Sequence, residues 1–338
     1  MTTAVFIGRL QPFHDAHLAI LSRALERYER VIVGVGSARQ ARSPRNPWTA
    51  DERVEMVRRA VASDRLAFMS LRDYLYNDNQ WITEVQQKVA ALAGGDEIAI
   101  VGRLKDRTSQ YLRMFPQWRC DEYVERHPAD ATRVRELLFS EDADRFARVA
   151  ELVPAPVAAW LEAWSKTDTF EWVYDEHLFY QRYRDEHRFA NGDLPYRATF
   201  VTTDAVVVQS GHVLVVRRRT TPGKGLFALP GGFVKAFDGI EDSMLRELKE
   251  ETKIQIPKDV LRGNVVGEKV FDHPDRSLRG RTITHGFCIH LRDGDLAHVE
   301  GGDDADQAFW VPLADLYEHE DKFFEDHVHI IRYFTSRF

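Results

Sequence analysis

The sequence has little cysteine and little surplus charge, and each shortage argues against a class of protein. Its 338 residues include two cysteines, Cys120 and Cys288. These are too few for a disulfide framework or a zinc cluster, so we expect a reducing, cytoplasmic compartment. The formal net charge of −7 argues against general attraction to nucleic acid or an anionic membrane. Anionic ligands would then be bound by local arginines and backbone amides.

Long apolar runs are also missing. No window approaches the length of a membrane span, and the opening MTTAVFIGRL lacks the basic segment and apolar stretch of a secretory signal. We therefore expect neither insertion nor secretion. The composition that is present, 44% apolar and 29% charged residues, is typical of a soluble globular protein. A chain of 338 residues exceeds the usual size of one core and predicts about two domains.

The two halves of the chain have different patterns. The first alternates short apolar runs, such as AVFIG and RVIVGVG, with amphipathic helical stretches. This alternation predicts a doubly wound α/β domain with a parallel sheet over residues 1–190, ending in linker helices. Turn residues near Asn191 mark the predicted boundary. Residues 191–338 begin with two strands joined by QSGH, then a glycine-rich loop, a strong helix and more strands, which predicts an α+β sandwich.

The stretch GRLQPFHDAH follows the first predicted strand, where ligands collect in α/β sheets. Gly8 allows close approach of the backbone, and Arg9 offers a fork of donors. His14 and His17 could share one face at a helix N-terminus and stabilise charge on a phosphoryl group. The alternative is that both histidines are ordinary loop and cap residues, which is more common for an isolated His-x-x-His.

Three further segments decide between these interpretations. They are GSARQARSPRNPWTADER after the second strand, VGRLKDRTSQYLRMFPQW after a later strand, and DATRVRELLF at a helix start. With the opening stretch they resemble the HxGH nucleotidyltransferase superfamily, and within it the nicotinamide mononucleotide (NMN) adenylyltransferases. The resemblance covers roughly the first half of the chain and implies a Rossmann-like fold. One departure is Ala16, which stands where the family motif has glycine.

The resemblance implies roles for individual residues. In the family, the HxGH histidines bind ATP phosphates and stabilise the transition state at the α-phosphorus, and a late Ser/Thr-x-x-Arg holds the β- and γ-phosphates. The expected catalytic residues are His14 and His17. The expected ATP-binding residues are Gly8, Arg9, His14, His17, Thr132 and Arg135, and the expected NMN-binding residues are Asn46, Trp48, Lys105 and Asp106.

The chemistry implied is attack of the NMN 5′-phosphate on the α-phosphorus of ATP, with Mg²⁺ bridging the polyphosphate. The products would be NAD and pyrophosphate. A phosphate monoester is a competent nucleophile at neutral pH, so no covalent enzyme intermediate is needed. Another mononucleotide or a pantetheine-type substrate is the alternative, and the NPWT and KDRTSQYLRMFPQW segments favour NMN.

In the second half, LPGGFVKAFDGIEDSMLRELKEETKI places glycines before a helix with three glutamates on one face. Glu247, Glu250 and Glu251 could form a solvated acidic face paired with Arg246 and Lys249. A divalent-cation site explains better their combination with the preceding PGG.

This stretch resembles the Nudix box, with RELKEE intact. Asp238 replaces the first glutamate of the motif and Lys253 its late glycine. By resemblance, the metal ligands are Glu247, Glu250 and Glu251, of which Glu247 and Glu250 are also the expected catalytic residues. The expected cofactor is Mg²⁺, with Mn²⁺ as the alternative.

Proteins that fuse these two modules, which the whole chain resembles, typically cleave ADP-ribose to AMP and ribose 5-phosphate. The segment FDHPDRSLRGRTITHGF is similar to their ADP-ribose-binding region, and Glu325 matches a late catalytic carboxylate. An exposed basic loop explains the same arginines equally well. The expected ligands are thus ATP, NMN and ADP-ribose, with no nucleic acid or membrane. A non-catalytic nucleotide sensor in the second half and a homo-oligomer stay open. The expected ADP-ribose-binding residues are Arg276, Arg279 and Arg281.

Overall fold

A computed structural model describes residues 1–103, 111–123, 128–190 and 198–336. The chain divides into two compact units, Met1–Asp175 and Glu176–Phe338. This division lies within a helix, Asp168–Ala190 (α7), and so before the linker helices end. Residues 191–197, which follow the predicted boundary, lie outside the described residues. The boundary after residue 190 therefore stays a prediction. No helix in the described ranges is long and apolar enough to cross a membrane.

The first unit contains a five-stranded sheet in the order β3-β2-β1-β4-β5, and every neighbouring pair is parallel. Successive residues of the central strand enter different cores: Ala4 and Phe6 pack in one cluster, Val5 and Ile7 in another. Burial on both faces explains the continuous apolar strand sequences. The strands are β1 (Thr2–Gly8), β2 (Arg30–Val35), β3 (Leu66–Ser70), β4 (Glu97–Gly102) and β5 (Arg119–Glu122).

Helices cover both faces of this sheet, which confirms the predicted Rossmann-like class. The strand order reverses between β1 and β4, and the loops at the carboxyl ends of such strands form the ligand crevice of doubly wound folds. The loop after β1 is therefore in position to bind a nucleotide. The helices are α1 (Asp15–Arg27), α2 (Ala50–Ala60), α3 (Asp78–Ala93), α4 (Ala131–Leu138), α5 (Arg145–Ala150) and α6 (Ala155–Trp164).

The second unit contains a seven-stranded mixed sheet, which confirms the predicted α+β class. Its main path is β10-β11-β6-β7-β12, with β8 paired to β7 and β9 to β6. The predicted hairpin at QSGH is confirmed, since Ser210 and Gly211 turn with φ of 46° and 72° between antiparallel strands. The strands are β6 (Thr199–Gln209), β7 (His212–Arg218), β8 (Phe227–Ala228), β9 (Gly231–Phe233), β10 (Val265–Phe271), β11 (Arg281–His290) and β12 (Ala305–Pro312).

Three helices accompany this sheet: α8 (Ile240–Thr252), α9 (Lys258–Gly263) and α10 (His327–Thr335). Helix α8 buries Met244, Leu245 and Leu248 in a core shared with β6. Because these apolar residues occupy one side of α8, its glutamates are left on the side next to the glycine loop. The chain also forms two short 3-10 helices, Leu313–Tyr317 and Glu320–Lys322.

Candidate active sites

The two predicted catalytic histidines lie against each other at the start of α1. His14 is the N-cap residue, and its backbone N–H donates to Nδ1 of His17 at 3.3 Å. Their imidazole rings stack with centroids 3.6 Å apart, and His17 also stacks on Phe13. The ring pair is thus fixed by the capping geometry and by packing, at a helix end that favours anions.

Arg135 is brought from α4 to the loop after β1. Its Nη1 donates to the backbone oxygen of Gln11 at 2.5 Å and its Nη2 to Oγ1 of Thr132 at 3.3 Å. Burial lowers the pKa of Arg135 to about 10, and the positive charges of Arg9 and Arg45 push it the same way. The predicted phosphate-binding residues Arg9, Thr132 and Arg135 therefore gather, and Arg45 joins them. Like charges held this close favour an anionic ligand.

Arg53 is a residue that the sequence analysis missed. It is 1% exposed, and burial lowers its pKa to about 10. Its guanidinium donates to the backbone oxygens of Arg9, Gly36 and Ser37 at 2.5, 2.6 and 3.2 Å. Arg53 thus ties the loop after β1 to the loop after β2. Its position three residues before Met56 on α2, and so on the same buried side of the helix, could have indicated its burial.

The predicted NMN-binding residues have different environments. Trp48 is 1% exposed and its ring centroid lies 5.2 Å from that of Trp164, so its indole packs in the core; its contact with NMN stays a prediction. Its backbone N–H and C=O pair with the amide of Gln11 at 3.1 and 2.9 Å. Asn46 Oδ1 is buried and accepts no hydrogen bond from the described residues. Lys105 and Asp106 lie outside the described residues.

In the second unit, Arg246 connects the acidic groups of the Nudix-like segment. It donates to Asp238 Oδ2 at 3.0 Å, to Glu247 Oε1 at 2.7 Å and to Glu250 Oε2 at 3.0 Å. Asp238, one residue that departs from the motif, therefore keeps an ion pair with Arg246. Lys253, the other, adopts φ of 47° at the C-cap of α8, a left-handed conformation that favours glycine.

Two glycines fit the chain against these carboxylates. A Cβ on Gly232 would lie 2.8 Å from the Glu247 carboxyl, and one on Gly231 would lie 2.1 Å from the backbone oxygen of Thr203. Gly231 N–H donates to Glu251 Oε2 at 3.0 Å. The glycine loop therefore touches the acidic helix face directly, which no larger residue would permit.

The donor set suits a divalent cation. Burial raises the pKa of Glu251 to about 8; the Gly231 N–H lowers it, whereas the charges of Glu247 and Asp204 raise it further. Clustered carboxylates of this kind favour a nearby positive ion, and oxygen ligands suit Mg²⁺ or Mn²⁺. Within the described ranges, no three His, Cys, Asp or Glu side chains are already arranged to hold a metal.

The three predicted ADP-ribose-binding arginines differ in exposure and in hydrogen-bond partners. Arg276 lines a cavity that Gly232, Glu251 and Glu325 also border, but it is 4% exposed and its guanidinium donates to both carboxylate oxygens of Asp326 at 3.0 and 2.9 Å. Its contact with a ligand stays a prediction. Arg281 donates to the backbone oxygen of Asp272 at 2.5 Å and does not line the cavity beside Glu251. Arg279 does line it and lies 3.4 Å from Oε2 of Glu325.

The cavity beside Glu251 also contains residues that the sequence did not single out. Arg218 lines it, with its guanidinium carbon 4.3 Å from the Phe324 ring centroid. Asp204 lines it and accepts from Thr284 Oγ1 at 2.6 Å. His327 lines it from the start of α10. These residues come from β7, β6 and α10, and no local spacing signals their convergence.

The fold and both sites define a two-domain protein in which a nucleotidyltransferase-type domain precedes a Nudix-type domain. A cytidylyltransferase-like family model matches residues 5–150, and a NUDIX domain model matches residues 199–334. A crystal structure of a bifunctional NMN adenylyltransferase/ADP ribose pyrophosphatase from Francisella tularensis, complexed with AMP and a manganese ion, is 30% identical with a TM-score of 0.88 and 99% coverage of both chains. The chain belongs to the family of bifunctional NMN adenylyltransferase/ADP ribose pyrophosphatases.

Curated relatives match each half separately. The nicotinamide/nicotinic acid mononucleotide adenylyltransferase of Acinetobacter baylyi is 36% identical over 140 residues, which are 40% of this chain and 74% of that protein. The ADP-ribose pyrophosphatase of Methanocaldococcus jannaschii is 36% identical over 124 residues, which are 36% of this chain and 68% of that protein.

Proposed function

We propose that the chain is a bifunctional enzyme of NAD metabolism, whose first unit transfers AMP from ATP to NMN and whose second unit hydrolyses ADP-ribose to AMP and ribose 5-phosphate. The observation that carries the first activity is the gathering of the stacked His14–His17 pair with Arg135 around one loop. The observation that carries the second is the contact of the glycine loop with Glu247 and Glu251 of α8. The cytoplasm is the proposed compartment.

In the first unit, we assign charge stabilisation to the histidine pair. As pyrophosphate leaves ATP, negative charge grows on the phosphoryl oxygens, and donors already in place lower the energy of that transition state. Arg135 and Thr132 would hold the β- and γ-phosphates, while Gly8 and Arg9 border the same loop. Asn46 Oδ1, buried without a donor among the described residues, is the proposed acceptor for the carboxamide of NMN.

A test of the first activity measures pyrophosphate release from ATP, NMN and Mg²⁺. His17→Ala should lower kcat by about 100- to 1000-fold, the usual effect of removing one transition-state donor. His298→Ala is the control, since that imidazole is 68% exposed in the second unit. Equal rates for wild type and His17→Ala would contradict the assignment. Comparing the rates of pyrophosphate release with NMN and with nicotinic acid mononucleotide would show which base the first unit prefers.

In the second unit, we assign metal binding to Glu247, Glu250 and Glu251. When bound there, a divalent cation activates water and offsets charge on the diphosphate. Mg²⁺ is the proposed ion, with Mn²⁺ as the alternative. Arg246 orients Glu247 and Glu250 through the bonds described above, and Arg279 would contact a phosphate. Glu325, held by Ser277 Oγ at 2.6 Å, is the proposed carboxylate that accepts the proton of the attacking water.

A test of the second activity compares Glu250→Gln with Glu241→Gln, which lies on the same helix but pairs with Arg262 at the surface. Glu250→Gln should lower ADP-ribose hydrolysis by at least about 100-fold and leave NAD synthesis unchanged. Glu241→Gln should leave both rates unchanged. Tight binding of ADP-ribose without cleavage by the wild type would instead indicate a nucleotide sensor.

A further inference from the structure

His327 occupies the cavity of the second unit but has no part in the chemistry assigned above. It is the first residue of α10, it is 7% exposed, and it lines the cavity together with Gly232, Glu251 and Glu325. Buried polar side-chain atoms usually have a hydrogen-bond partner, and in a neutral imidazole one nitrogen donates while the other accepts. Nδ1 of His327 is hydrogen-bonded to the protein, so Nε2 is the nitrogen that could bind a ligand.

The hydrogen bonding of His327 fixes its tautomer. Its Nδ1 accepts a hydrogen bond from the backbone N–H of Leu229 at 2.8 Å, so Nδ1 carries no proton. Burial lowers the pKa of His327, so the ring is neutral at neutral pH and its one proton is on Nε2. Among the described residues, the bond from Leu229 is the hydrogen bond that this ring makes. Because His327 is 7% exposed and lines the cavity, a ligand bound there can supply an acceptor for the Nε2–H.

The ring cannot easily turn to another partner. The preceding residue, Asp326, is held by both nitrogens of the Arg276 guanidinium in a buried pair. On the other side, Leu229 leads through one residue into the glycine loop that contacts Glu251. His327 therefore links α10 to the loop that borders the candidate metal site, and its Nε2–H is a donor with a fixed direction.

We propose that the Nε2–H of His327 donates a hydrogen bond to an oxygen of the diphosphate in the substrate of the second unit. The cavity can accept an anionic oxygen, because Arg218, Arg276 and Arg279 line it. Of the acidic side chains there, Glu251 is a proposed metal ligand and Glu325 pairs with Arg279. The inference rests on the proposed hydrolase function, and it adds a neutral donor to the positive groups already assigned to this site.

Two substitutions separate this role from a structural one. The amide of His327→Asn reaches about as far as Nδ1, so its oxygen can keep the bond from Leu229 while the inward donor is lost. The amide of His327→Gln reaches about as far as Nε2, so it can keep the inward donor and lose the bond to Leu229. His298→Asn is the matched control on an exposed ring.

The experiment measures the Kd of α,β-methylene ADP-ribose, which cannot be cleaved between the phosphates, together with kcat and KM for ADP-ribose. His327→Asn should weaken binding by about 10- to 100-fold, while His327→Gln should restore it to within about threefold of wild type. The opposite order, or equal affinity in all three proteins, would overturn the proposal. A wild type that binds the analogue but does not cleave ADP-ribose would overturn the hydrolase function alone. In that case the Kd values of the three proteins would still test the role of His327.

Discussion

Nη1 of Arg135 donates to the backbone oxygen of Gln11 at 2.5 Å, although 124 positions separate the two residues. This bond places α4 beside the loop after β1. The same Gln11 holds the backbone of Trp48 with its side-chain amide. Three distant segments thus depend on one short loop for their relative positions.

Arg135→Lys should raise the KM for ATP in NAD synthesis by about 10- to 100-fold, because lysine cannot bond Gln11 and a phosphate in the same fork geometry. Steady-state kinetics with pyrophosphate detection measures the effect. Arg133→Lys is the control, since Arg133 lies on the same helix at the surface near Glu136. An unchanged KM in Arg135→Lys would remove this residue from the ATP site.

Arg53→Met should lower the free energy of unfolding of the first unit by about 3 kcal/mol, because it leaves several buried carbonyl oxygens without donors. Arg59→Met, on the exposed side of the same helix where Arg59 pairs with Glu55, should change it by at most about 0.5 kcal/mol. Chemical denaturation followed by tryptophan fluorescence compares the two. Similar stabilities would mean that the bonds made by Arg53 are dispensable.

Gly232→Ala should lower ADP-ribose hydrolysis at least about tenfold and leave NAD synthesis intact, because the new Cβ would lie 2.8 Å from the carboxyl of Glu247 and displace it. Gly263→Ala is the control, since a Cβ there would meet nothing within 4 Å. The two rates are measured on the same preparation. Full hydrolysis in Gly232→Ala would show that Glu247 tolerates displacement.

Lys253→Gly should stabilise the second unit by about 1 kcal/mol, because φ at this position is 47° and glycine avoids the steric cost of that conformation. Lys253→Ala removes the same charge but keeps Cβ, so it should give no comparable gain. Thermal unfolding of both variants separates charge from backbone conformation. A gain in the alanine variant equal to that in glycine would point to the charge.

Iodoacetamide at pH 8 should label Cys120 in the native protein and leave Cys288 unlabelled. Cys288 is buried, and burial raises the pKa of its thiol to about 11, so about one thiol in a thousand is ionised at this pH. Cys120 is exposed. Mass spectrometry of Cys120→Ser protein, with and without denaturant, isolates Cys288; native labelling of Cys288 at the denatured rate would contradict its burial.

Much of both sites follows from local sequence. The spacing of His14 and His17 fixes both at one helix start, and α8 places its three glutamates on one face because its apolar residues must face the sheet. Arg276 and Trp48 show the limit of this reasoning. Both residue types suit nucleotide binding, but only the structure shows that Arg276 pairs with Asp326 and that Trp48 packs against Trp164.

The sequence by itself determined the two fold classes and the segments that carry each candidate site, because strand and helix periodicity and motif spacing are local properties. The tertiary structure decided which side chains share a cavity. Arg53, Arg218 and His327 come from elements that are distant in sequence, and their roles depend on burial and on hydrogen bonds to backbone atoms of other segments. Such contacts form only when the sheets bring those segments together, so no local pattern encodes them.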